Sequence, residues 1–160
     1  MEHIRIKPLT SETFAPFGDV LQASGAPDRL LNFGTCGRFH DRARLDFGAG
    51  GRAGISIFDA EARDLPYRLE LVERHPDGSQ AFMPMHSHDW LVIVAEAGET
   101  PGQIHAFRAG PGRGVNFLRG TWHAVLTPLH NPGLFAVVDR IGDTRNHEEF
   151  PLPQPVMIVE

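Results

Sequence analysis

The chain has 160 residues, 41% of them hydrophobic and 22% charged, and its 15 Lys and Arg against 20 Asp and Glu leave a formal net charge of −5. These values describe an ordinary globular chain that folds as a single domain, residues 1–160, with enough length to bury a core without disulfides. A net negative surface argues against nucleic acid as the main partner, and no apolar run approaches the ~18 residues of a membrane span. Cys36 is the only cysteine, and residues 1–10 lack the apolar stretch of a signal peptide, so a cytoplasmic location is expected.

The 17 Gly and 13 Pro occur without any repeat, which suits short strands joined by tight turns. In chain order, residues 3–7 alternate and predict a strand, and Thr10 or Ser11 caps one helical turn that Pro16 ends. Strands follow at 19–21, 44–47 and 54–58, with residues 30–41 between them irregular. Residues 68–74 alternate apolar and charged, the pattern of a half-buried strand. Strands are then predicted at 80–85, 90–95, 104–107, 115–118, 122–126 and 134–139, the 90–95 segment being apolar on both faces. About ten strands at short spacings with no long helix predict an all-β fold, a closed barrel or jelly roll.

Histidines carry the first chemical signal. On a strand, His86 and His88 point to one face, and His123 follows Gly120 in a turn some distance on. Three neutral imidazoles suit a divalent metal such as zinc or nickel and leave positions open for substrate. His86-Ser87-His88 with Gly120-Thr121-Trp122-His123 resembles the two-part motif of the cupin superfamily, a small β-barrel that usually holds a metal with three His and one Glu. The position of that Glu is Val92 here, and Asp89 turns to the opposite face.

A narrower resemblance covers nearly the whole chain. Glu73-Arg74-His75-Pro76-Asp77-Gly78-Ser79-Gln80-Ala81-Phe82-Met83-Pro84-Met85 is similar to the signature of the ureidoglycolate lyases. So are Gly114-Val115-Asn116-Phe117, Gly120-Thr121-Trp122-His123, and Val137-Val138-Asp139-Arg140 before Asn146. Pro8-Leu9, Phe17-Gly18-Asp19-Val20, Asn32 and Arg38-Phe39-His40-Asp41 fit the same family in order and spacing. The resemblance implies a cupin-like barrel, usually a homodimer, that splits ureidoglycolate into glyoxylate and urea in allantoin and purine breakdown. It associates nickel with the family without transferring ligands.

Ureidoglycolate carries a carboxylate, a hydroxyl and a urea nitrogen on one carbon. Elimination needs a base, an acid and a grip on the carboxylate, and the sequence holds no nucleotide-binding or acyl-transfer motif. Arg74 is the candidate for the carboxylate because a guanidinium fork matches two oxygens. His75 and His123 are candidate bases, and Asp139, ending an apolar strand, is a candidate buried acid or orienting group. Asn32, Gln80 and Asn116 are candidates for substrate binding, the last two as amides facing the barrel. Other readings stay open: a metal-dependent cupin oxygenase or isomerase on a small hydroxy acid, an amidohydrolase releasing ammonia, or a non-catalytic small-ligand-binding barrel.

Overall fold

Short strands separated by Gly- and Pro-rich turns make up the structure, a computed structural model that describes residues 1–160. In order they are β1 (His3–Pro8), β2 (Gly18–Leu21), β3 (Arg29–Leu31), β4 (Cys36–Arg38), β5 (Arg52–Ala60), β6 (Tyr67–Arg74) and β7 (Gln80–Pro84). There follow β8 (Trp90–Ala95), β9 (Ile104–Ala109), β10 (Gly114–Phe117), β11 (Trp122–His123), β12 (Thr127–Pro128), β13 (Gly133–Ile141) and β14 (Glu148–Val159). The one α-helix, α1 (Ser11–Phe14), is a single turn whose N-cap Thr10 hydroxyl accepts from the Thr13 N–H at 3.1 Å. No helix is long and apolar enough to cross a membrane.

Six strands close on themselves in the order β11-β6-β14-β1-β9-β8, with β8 pairing back to β11, and β12 extends the edge of β8. A second sheet, β2-β10-β7-β13-β5, packs against this barrel, and β3 with β4 forms a separate hairpin. β8 shows how the sequence dictates the arrangement. Its even residues Trp90, Val92 and Val94 join Phe82, Phe107, Val115, Phe117, Phe135 and Val137 in the core between the sheets. Its odd residues Leu91, Ile93 and Ala95 fill the barrel with Leu69, Val72, Trp122 and Ile158. A strand apolar on both faces is therefore shared by two cores, and each fully buried Leu, Ile, Val or Phe contributes roughly 1.5–3 kcal/mol.

The all-β expectation holds, with local corrections. Residues 44–47 form no strand. Instead the Arg44 N–H and guanidinium are held by Asp19 at 2.8 and 2.9 Å, while Asp46 takes Arg119 in two bonds of 2.7 and 2.9 Å. Side-chain staples replace a ladder there. The 122–126 segment is a strand only at Trp122–His123, with one further backbone bond from the Ala124 N–H to the Ile93 carbonyl at 2.9 Å. Residues 30–41 carry the β3–β4 hairpin, with Asn32 and Phe33 at left-handed φ of 51° and 59° at its tip. The longest strand, β14, runs through three prolines. It pairs with β6 on either side of a register shift between Pro151 and Val156, so prolines 153 and 155 need donate nothing to that ladder.

Candidate functional site

Two rows of side chains meet at the mouth of the gap between barrel and sheet. In the barrel, His123 on β11 lies directly opposite Glu73 on β6. In the sheet, Gln80 lies between Asp139 on β13 and Phe117 on β10. Glu73, His123, Gln80, Phe117, Phe82 and Trp90 line one pocket there. Trp122 faces the barrel core, so its neighbour His123 is turned outward, where Phe117 stacks on its ring at 4.3 Å with 12° between planes.

His75 follows Glu73 by two residues just past the end of β6, and its ring centroid is 5.2 Å from that of His123. Gly120, at a φ of 76° that favours glycine, donates its N–H to the His75 carbonyl at 2.9 Å, which ties the turn before His123 to His75.

The hydrogen bonds fix which nitrogen of each ring is free. His75 Nδ1 faces the Asn146 carbonyl at 2.7 Å and His123 Nδ1 faces the Thr121 carbonyl at 2.9 Å. A carbonyl can only accept, so both Nδ1 atoms donate, and the Nε2 atoms are left to carry lone pairs. Both Nε2 atoms are buried and have no hydrogen-bond partner. Glu73 supplies the carboxylate, with Oε1 3.6 Å from His123 Nε2 and Oε2 2.9 Å from His147 Nε2. One ligand atom each from Glu73, His75 and His123 lie within 4.8 Å of one another. His123 and His147 hold the Glu73 carboxyl down at about 2 against the opposing effect of burial. Burial, then the nearby His123, pushes the His75 imidazole below its ordinary value and keeps it neutral. Two imidazoles whose Nδ1 atoms are held by backbone carbonyls, beside a carboxyl held down at about 2, form a ligand set that suits a divalent metal.

The expected site residues divide accordingly. His75, His123, Gln80 and Asp139 come together, and Gln80 Nε2 donates to Asp139 Oδ2 at 3.1 Å. Arg74 is one that stands apart. It lies on the face of β6 opposite Glu73, where it packs over the Trp122 ring at 4.2 Å, pairs with Glu148 at 2.6 Å and donates to the Gly98 carbonyl. Asn116 is another. It shares the outer face of its sheet with Asp19 and donates to Asp19 and the Arg44 carbonyl at 3.0 and 3.2 Å. Asn32 stands exposed at the hairpin tip, outside the lining of the pocket.

His86 and His88 do not join His123. β7 ends at Pro84, so the two lie on a bending loop without strand alternation. His86 packs against Phe135 at 4.9 Å and accepts at Nδ1 from the His88 N–H, while His88 lies 5.3 Å from His130.

A family model described as ureidoglycolate lyase matches residues 1–159. The chain belongs to the ureidoglycolate lyase family. A ureidoglycolate lyase of Rhodobacter capsulatus is 58% identical over 159 residues, which cover 99% of each chain. Others of that name, from Chelativorans sp. and Mesorhizobium japonicum, are 47% and 46% identical over 99% and 94% of this chain and 97% and 93% of theirs. In this member of the ureidoglycolate lyase family, sequence reasoning missed Glu73 and His147. For Glu73 the one local signal is its position on the alternating 68–74 strand, two residues before His75. His147 carries no comparable local signal, because a register across β6 and β14 brings it to Glu73.

Proposed function

We propose that this chain is a lyase cleaving ureidoglycolate to glyoxylate and urea at the Glu73–His75–His123 cluster. The observation that carries this reading is the pair of buried, unpartnered Nε2 atoms beside an ionised carboxylate in a family member of this name. In the reaction the hydroxyl proton leaves oxygen, the C–N bond breaks as the C=O bond forms, and the departing urea nitrogen takes up a proton.

Glu73 Oε1, His75 Nε2 and His123 Nε2 would hold a divalent ion such as nickel or zinc. When bound, such an ion supplies Lewis acidity, gripping carboxylate and hydroxyl and lowering the hydroxyl pKa. Phe117, stacked on His123, and Phe82 keep bulk water from the inner end of the pocket. Gln80 binds the urea end of the substrate. His147, whose side chain is partly exposed and whose Nε2 faces Glu73 Oε2 at 2.9 Å, is the group suited to hold the proton in transit between hydroxyl and leaving nitrogen.

A cytoplasmic homodimer fits this reading. Cys36 is free and exposed, as suits a reducing compartment, and exposed Ile55, Ile57 and Met83 share the outer face of the second sheet, an apolar surface of the kind a second copy covers. The deciding experiment follows glyoxylate, urea and ammonia together on fresh ureidoglycolate, against a protein-free control. Equal glyoxylate and urea above the control is the expected result; ammonia in place of urea would identify a hydrolase instead. Metal analysis of the same preparation should find a divalent ion that His75→Ala/His123→Ala no longer retains.

A further inference from the structure

The Gln80 amide reaches the pocket with its polarity already fixed. Its side chain is 5% exposed, and Nε2 donates to Asp139 Oδ2 at 3.1 Å. A carboxylate can only accept a hydrogen bond, so Asp139 determines which end of the amide turns toward it. The other end, Oε1, is buried without a partner in a residue that lines the same pocket as Glu73 and His123. A buried acceptor left unpaired costs roughly 1–3 kcal/mol, a cost that a ligand presenting a donor removes.

We infer that Asp139 is a positioning residue that holds Gln80 Oε1 toward the pocket, so that the pair selects leaving groups presenting an N–H donor. This rests on the lyase reading and adds its specificity: a ureido NH2 is welcome there, and an isosteric methyl or carbonyl group is not. Asp139 touches no substrate in this scheme. Its register with Gln80 on adjacent strands β13 and β7 makes the orientation a property of the sheet rather than of a mobile loop.

The test uses the full chain with ureidoglycolate as substrate and two competitive ligands of the same shape, N-carbamoylglycine and N-acetylglycine, which differ only by NH2 for CH3. Wild type should bind N-carbamoylglycine more tightly by about tenfold, the loss expected for one unpaired buried acceptor. Asp139→Asn lets the amide turn either way. It should raise KM for ureidoglycolate several-fold with kcat within about twofold, and should bring the two inhibition constants together. Gln80→Met should also erase the preference. A purely structural Asp139 would lower Tm and leave the inhibitor ratio as in wild type, which overturns the proposal, as does equal inhibition of wild type by both ligands. Failure of wild type to turn over ureidoglycolate would instead remove the lyase reading itself, so the two failures are told apart.

Discussion

Two histidine clusters lie in this molecule, and they are built differently. At the pocket mouth, His75 and His123 each give Nδ1 to a backbone carbonyl, aim Nε2 inward and share Glu73. His86 and His88 in the β7–β8 loop and His130 between β12 and β13 have ring centroids about as close, at 5.5 and 5.3 Å. Yet there His86 Nδ1 accepts a backbone N–H, its ring lies edge-on to Phe135, and the three join no carboxylate in a set of converging ligand atoms. Proximity of imidazoles is thus a weak criterion. What separates the clusters is the tautomer fixed by each second bond and a carboxylate that carries the charge.

The contrast is broken most severely at Glu73. Glu73→Gln keeps the shape and removes the charge, and should lower kcat/KM by about 100-fold or more, with metal retention falling in parallel; a rate within threefold of wild type would make Glu73 a bystander. Next comes the packing that holds the site's two rows together. Phe82 is 4% exposed and contacts Phe58, Trp90, Phe117 and Phe135. Phe82→Ala should cost about 3–5 kcal/mol by denaturant unfolding, and a loss under 1 kcal/mol would contradict this account of the core. Arg74→Ala is a smaller change that separates structure from catalysis: stability should fall by about 1–2 kcal/mol from the lost stacking on Trp122 and the bond to Glu148, with KM nearly unchanged. A large rise in KM alone would return Arg74 to the substrate carboxylate.

The smallest expected effect lies in the second cluster. Burial, then the neighbouring His88, pushes the His86 imidazole below its ordinary 6.5. The unfolded chain therefore takes up this proton first, and stability from neutral His86 is present above about 6.5 and declines as pH falls through that value. His86→Gln should flatten this decline in Tm between neutral and mildly acid pH. An unaltered slope would place the titrating group elsewhere.

Much of the architecture was legible because burial imposes periodicity. The two-faced run from Trp90 to Ala95 follows directly from one strand shared by two cores, whereas the alternation over 68–74 breaks between Leu69 and Val72, which both fill the barrel. β14 was not legible, since prolines 151, 153 and 155 interrupt the pattern and only the register shift against β6 explains how a strand tolerates them. Of the expected site residues, His75, His123, Gln80 and Asp139 are brought together by the fold. The placement of Arg74 was not legible, because alternation shows that Glu73 and Arg74 oppose each other but not which one faces the pocket. The placement of His86 and His88 away from His123 was not legible, because two-residue spacing means a common face only on a strand, and β7 ends before them.

The most direct test compares the clusters in one assay: glyoxylate and urea release by His75→Ala/His123→Ala and by His86→Ala/His88→Ala, each first shown to be folded. The first pair should fall to the protein-free background while the second stays within about twofold of wild type. Activity surviving in the first pair and vanishing in the second would contradict this expectation.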